Sequence, residues 1–315
     1  MKNILRVGLV LLFVCSVLFA FTACRDTGAD ELPPTPSEGL AFTLNRSGRS
    51  YTVSGIGSCT DTEIVIPAEY NGLPVTKIGD NAFADITAIT AVHIPDSVVR
   101  IGMYAFAGTS ITSITIPAGV TELTALSLNG APLENIAVAW DNPVYKTVGG
   151  VLYTADGRHL LRYPKMRHGE RYTVPEGVVF IAHSAFRDAE YLVTVSLPES
   201  LEFVADFSFS GAKRLECIVI PDGVTELGEG AFNSCPSLDT LVIGSGVKKI
   251  RYWSVSDCDA LLRVLYHGRA FDWAGVNLGT SNDSITKDNL YFYSENEPAA
   301  SGNYWHYVDG VPTPW

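Results

Sequence analysis

The chain has 315 residues, with 34 acidic against 22 basic side chains and a formal net charge of −12. At 47% hydrophobic and only 18% charged residues it is too apolar for a disordered chain. The acidic balance also argues against nucleic acid as a partner, because phosphate binding needs a basic footprint that releases counterions.

At the N-terminus, Lys2 and Arg6 flank the start of an uncharged run from Val7 to Ala23. This is the pattern of an export signal, and its 17 residues sit at the lower limit for crossing a bilayer. Phe21-Thr22-Ala23-Cys24 resembles a bacterial lipobox, in which the cysteine is acylated and becomes the new N-terminus, although Phe21 stands where Leu is usual. Residues 1–23 are therefore expected to be a lipoprotein signal peptide, with an uncleaved membrane anchor as the alternative. Under either reading the rest of the chain lies outside the cytoplasm, held to the membrane and exposed at the surface. Residues 24–39, with Pro33, Pro34 and Pro36, read as a flexible tether.

Beyond the tether, Phe42-Thr43-Leu44 and Tyr51-Thr52-Val53 flank Ser47-Gly48 and predict a hairpin that caps the next element, over residues 40–62. A repeat follows. Tyr172-Thr173-Val174-Pro175, Val195-Ser196-Leu197-Pro198, Ile218-Val219-Ile220-Pro221 and Leu241-Val242-Ile243-Gly244 recur every 23 residues. Ile181, Val204, Leu227 and Ile250 keep the same register, as do Phe186, Phe209, Phe232 and Val255. Earlier copies begin at Ile64, Val92, Ile114 and Ile136, and a last one at Val264.

Each copy reads as a short strand ended by proline, a turn, a second short strand at Val-x-x-Ile, and an Ala-Phe corner expected to form one helical turn. One unit cannot bury its own apolar face, so the copies must stack. Ile-x-Ile-Pro-x-x-Val-x-x-Ile-Gly-x-x-Ala-Phe-x-x-Cys, best matched by Ile218 to Cys235, resembles the BspA-like class of bacterial leucine-rich repeats. The expected fold is mainly β with short helical turns, a leucine-rich-repeat solenoid of about nine 22–23-residue rungs over residues 63–264. Residues 265–315, ending in an aromatic tail from Tyr304 to Trp315, would close its far end.

From Ile136 to Tyr172 the spacing grows to 36 residues. The excess predicts an inserted hairpin at about 140–170, with a turn at Asp156-Gly157. Trp140, Tyr145 and Tyr153 within it form either an aromatic lip over a ligand groove or, the favoured reading, structural packing.

Chemistry is sparsely signalled. The sequence holds no Gly-x-Ser-x-Gly elbow, no His-Glu-x-x-His pair and no glycine-rich loop entering a helix, so neither a catalytic centre, a cofactor nor a metal is expected. Cys59, Cys217, Cys235 and Cys258 are too few for a disulfide framework. Cys235 and Cys258 share one repeat position a rung apart, as buried thiols or as a bonded pair. Cys217 falls in an outward row, as a spare surface cysteine or a reactive thiol.

Two outward rows are candidate binding faces. On the first strand Val219, Val242 and Leu265 make an apolar patch, either open to a partner or covered by the C-terminal tail. On the second strand Phe180 and Phe203 should stack, either beneath the inserted hairpin or as an aromatic platform; cover is the expectation. The family resemblance implies a non-enzymatic surface protein that adheres to host matrix proteins or other cells. A glycan-capture lipoprotein using Trp140, Tyr145 and Tyr153, an envelope enzyme and an architectural envelope protein are the alternatives.

Overall fold

In the computed structural model residues 34–124, 126–299 and 301–315 are described. The signal peptide, Cys24 and nearly all of the tether ahead of Ser37 therefore lie outside the described residues. Ser37 already belongs to the solenoid: its N–H donates to the Val65 carbonyl and its hydroxyl accepts from the Val65 N–H.

Alternating apolar residues in each repeat give two columns of short parallel strands. The first column holds Glu63–Val65, Ala91–His93, Ser113–Ile116 and Asn135–Val138, then Arg171–Thr173, Thr194–Ser196, Cys217–Ile220, Thr240–Ile243 and Arg263–Tyr266. A tenth strand, Leu290–Tyr293, continues the column in register with Val264 to Tyr266, so the tail adds a rung where nine were expected. Tyr304–Val308 pairs parallel to it and turns back antiparallel as Val311–Pro314, which ends the stack.

The second column starts from the hairpin Ala41–Leu44 and Tyr51–Gly55, whose second strand pairs with Leu73–Ile78. The first rung spans 28 residues, not 23, because Glu69–Tyr70 folds back on Leu73–Ile78 through Asn71 and Gly72. Both turn residues take positive φ, 49° and 73°, which suits the Asn-Gly pair.

The Ala-Phe corner is not helical. It is a run of turns with two left-handed residues per rung, at Ser184, Phe207, Gly230 and Trp253 and again at Asp188, Gly211, Ser234 and Asp257. Two such residues per corner interrupt the αR run that a helical turn needs. The one α-helix among the described residues is Ala270–Trp273. Rungs are stacked so closely that a Cβ on Gly246 would lie 1.9 Å from the Asp222 carbonyl oxygen, which explains a glycine at a position where φ is not positive.

The core runs along the axis. Tyr163, Phe186, Phe209 and Phe232 stack face to face at 5.0, 4.7 and 5.2 Å, and Phe83 lies on Phe106 at 5.8 Å. Leu128 occupies the same position between the two stacks and belongs to the N-terminal of the two clusters that make up the buried core.

The division coincides with the insertion. Tyr145–Val148, Val151–Thr154 and His159–Arg162 form an antiparallel meander, and the last of these pairs parallel with Phe180–Ile181. The inserted segment thus rejoins the repeat as the second strand of the fourth rung. Among the described residues it makes no ladder with Glu122–Leu123, the strand before it in the column.

Candidate interaction face

The outward row of the second column is fixed by strand register. His159, Phe180 and Phe203 stand opposite one another on adjacent rungs, because Leu160, Ile181 and Val204 beside them point into the core. The Phe180 and Phe203 rings stack at 5.3 Å and 3°, and His159 tilts against Phe180 at 5.2 Å. Both phenyl rings are half-buried and His159 is exposed. The inserted segment does not cover them, contrary to expectation: its strand lies edge to edge with theirs and lengthens the row.

Charge borders this row. Arg158 and Glu202 are exposed beside it, and on the following rungs Lys249 pairs with Glu226 at 3.2 Å. Arg251 reaches Asp206 at 2.9 Å, with Glu226 and Glu229 at 3.7 and 3.8 Å. Half-exposed pairs of this kind add little stability and mainly fix side-chain positions around the rings.

The first-column patch is different. Val242 and Leu265 are buried beneath Trp305, with Tyr291 and Tyr293 alongside, so these two residues are tail packing and not a binding face. The Trp305 indole N–H donates to the Tyr266 carbonyl at 2.9 Å and anchors the cover. Val219, one rung back, remains 38% exposed.

Nor do the inserted aromatics form a lip. Trp140 is 96% exposed, while Tyr145 and Tyr153 are buried on separate tasks. The Tyr145 hydroxyl accepts from the Leu123 N–H at 2.9 Å and donates to the Thr121 carbonyl at 3.2 Å. The Tyr153 hydroxyl bonds that of Tyr172, and burial pushes both phenols up. Each is satisfied inside the protein, so neither offers a face to a sugar ring.

Among the described residues Cys59, Cys217, Cys235 and Cys258 are free thiols. Cys235 and Cys258 are buried, and each S–H donates to a carbonyl of the previous rung, Phe209 at 3.2 Å and Phe232 at 3.1 Å. Burial raises the Cys258 thiol to about 11 and the Cys235 thiol further. Burial raises Cys217 as well, which suits an inert thiol better than a reactive one. Among the described residues no group of three or more His, Cys, Asp or Glu is placed to hold a metal ion.

Sequence reasoning passed over one buried charge. Arg162, 3% exposed, stands immediately before Tyr163, at the corner where other rungs carry Ala or Ser. The signal was present: once the inserted strand is seen to rejoin the repeat, Arg162-Tyr163 falls on the Ala-Phe position.

Ten stacked first-column strands, nine of them followed by a turn and a second-column strand and most by an apolar corner, define a β-solenoid of the leucine-rich-repeat class. The sequence profile described as "BspA type Leucine rich repeat region" matches six copies in residues 58–142 and 167–269, more than half of the chain. The chain belongs to that family.

Solved structures share the fold. A leucine-rich repeat protein from Eubacterium ventriosum is 24% identical, with a TM-score of 0.57 over 78% of this chain and 83% of that one. The pneumococcal vaccine antigen PcpA is 23% identical, with a TM-score of 0.55 over 74% of this chain and 63% of its own. The match therefore spans somewhat less than two thirds of the PcpA chain. A search of curated proteins finds no match.

Proposed function

We propose that this chain is a non-enzymatic, surface-held lipoprotein that binds a protein partner, on host matrix or on another cell, through the second-column face. The observation that carries the reading is the row His159, Phe180 and Phe203, stacked on adjacent rungs with a charged border. Aromatic anchors ringed by polar groups are what protein interfaces use, whereas rings serving only the core would turn inward as Phe186 and Phe209 do. The proposed surface location is supported by the export-type N-terminus, and a fold shared with a vaccine antigen agrees with it.

The test is retention of the full-length chain, in detergent, on immobilised matrix proteins and glycans. A protein ligand is expected, and Phe180→Ser with Phe203→Ser should weaken its binding about tenfold or more with the fold intact by circular dichroism. An array on which only sugars retain the chain, or a double variant that binds its protein as tightly as the parent, would refute the reading.

The proposed anchor has its own test. Cys24→Ser is expected to stop incorporation of labelled palmitate in cells and to release the chain from the membrane fraction. Palmitate on the variant would contradict acylation at Cys24.

A further inference from the structure

The small residue before each corner ring is buried throughout the stack, as Ala105, Ser127, Ala185, Ser208, Ala231 and Ser254. In the fourth rung Arg162 takes this place. The Tyr163 N–H donates to the Ala185 carbonyl just as the Phe186 N–H donates to Ser208, which fixes the equivalence. A guanidinium thus stands, at 3% exposure, where every neighbouring rung has room for a methyl or a hydroxyl.

It is poorly compensated. Nη1 donates to the Ser184 carbonyl at 2.5 Å, while Nε is buried without a partner. Among the described residues no carboxylate lies within ion-pair distance of Arg162. Burial lowers its pKa to about 10, opposed in part by the Asp188 carboxylate, and it stays charged at neutral pH. A buried cation whose nearest carboxylate, Asp188, acts on it only from beyond ion-pair distance is unfavourable unless something closer compensates it.

Space for a counter-charge exists beside it. Arg162 lines a cavity of about 150 Å³, roughly five water volumes, together with Leu123, Leu128, Leu152 and Leu161. The cavity occupies the gap in the second column between Glu122–Leu123 and the inserted strands, where the two core clusters meet. Leu123 and Leu161 keep partial exposure, so the cavity has a side open to solvent. Ala182 and Thr124 complete the lining, and the Thr124 hydroxyl is already bonded to that of Ser127 at 2.9 Å, so the chamber is one fixed cation in a mainly aliphatic wall.

We propose that this cavity binds a short-chain aliphatic monocarboxylate, its carboxylate on the Arg162 guanidinium and its alkyl chain among Leu123, Leu128, Leu152 and Leu161. Paired N–H donors suit a carboxylate, and the leucines suit a few methylenes; the one other polar group of the wall, the Thr124 hydroxyl, is engaged by Ser127. The inference is independent of the protein-binding face, which lies on the outer side of the same column.

The probe is butyrate labelled at its carboxyl carbon, titrated into the full-length chain and followed by NMR and calorimetry at constant ionic strength. One saturable site is expected. Butyramide, alike in shape but uncharged, should not bind. Arg162→Met, which keeps the length of the side chain without the charge, should lose affinity about tenfold or more while retaining the parent's circular dichroism. Leu161→Phe, which fills the open side and leaves Arg162 in place, should also lose it. Absence of binding at millimolar butyrate, equal competition by chloride, or an Arg162→Met chain that binds within about twofold of the parent would each overturn the proposal.

Discussion

Phe209→Ala is expected to destabilise the chain by about 3–5 kcal/mol, among the largest losses available to a single substitution. The Phe209 ring is fully buried, with Phe186 at 4.7 Å on one face and Phe232 at 5.2 Å on the other. Truncation removes the ring's transfer free energy and two stacked contacts worth about 0.5–1.5 kcal/mol each. It also leaves a cavity that rigidly registered rungs cannot close. A solenoid concentrates such damage, because each rung is held only by its neighbours and Phe209 belongs to two interfaces. Urea denaturation should show a lower midpoint. A loss under about 1 kcal/mol would mean that the stack is looser than its 7° and 12° ring alignments indicate.

Trp305→Ala is expected to act at the end of the stack, with a loss of similar size, about 3–5 kcal/mol. Trp305 is fully buried, covers Val242 and Leu265, and donates to the Tyr266 carbonyl. Without it the tail strand loses its anchor, and two aliphatic side chains on the outer surface of the sheet meet water. The distinguishing sign is local. A dye that binds exposed apolar surface should bind the variant before global unfolding, and amides of Tyr304–Val308 should exchange faster than those of Thr240–Ile243. Uniform acceleration across both strands would show that the cap and the solenoid unfold as one unit.

The repeat was legible because its physics is local and periodic. A strand with one buried face must alternate, and a corner ring that stacks must recur at the rung length, so Phe186, Phe209 and Phe232 announce their contacts by number alone. What is decided by left-handed backbone was not legible. Phe207 and Trp253 take positive φ at the corner with ordinary side chains, and nothing in their identity signals it. The tenth rung was hidden for another reason: Leu290 follows Val264 by 26 residues, and its aromatic neighbours read as a lid when they are a further strand.

Whether a candidate row is covered or left open depends on what the tail and the insertion do in space. Val242 and Leu265 have the pattern of an exposed patch, and only the position of Trp305 shows them covered. Tyr145 and Tyr153 have the composition of a sugar lip, but their hydroxyls are already satisfied within the fold. The stacking of Phe180 on Phe203 follows from the 23-residue spacing, whereas His159 beside them was hidden because the inserted segment obscured the register. Arg162 was missed on the same ground.

The proposed binding face is tested most directly by hydroxyl-radical footprinting of the full-length chain, alone and with whichever arrayed protein retains it. Phenylalanine and histidine side chains oxidise at rates that follow their exposure. Protection is predicted at His159, Phe180 and Phe203, with unchanged oxidation at Trp140 and Phe271, which are 96% and 83% exposed and lie outside the row. Protection elsewhere, with Phe180 and Phe203 oxidised as fast in the complex as in the free chain, would contradict the assignment of the second-column face as the binding surface.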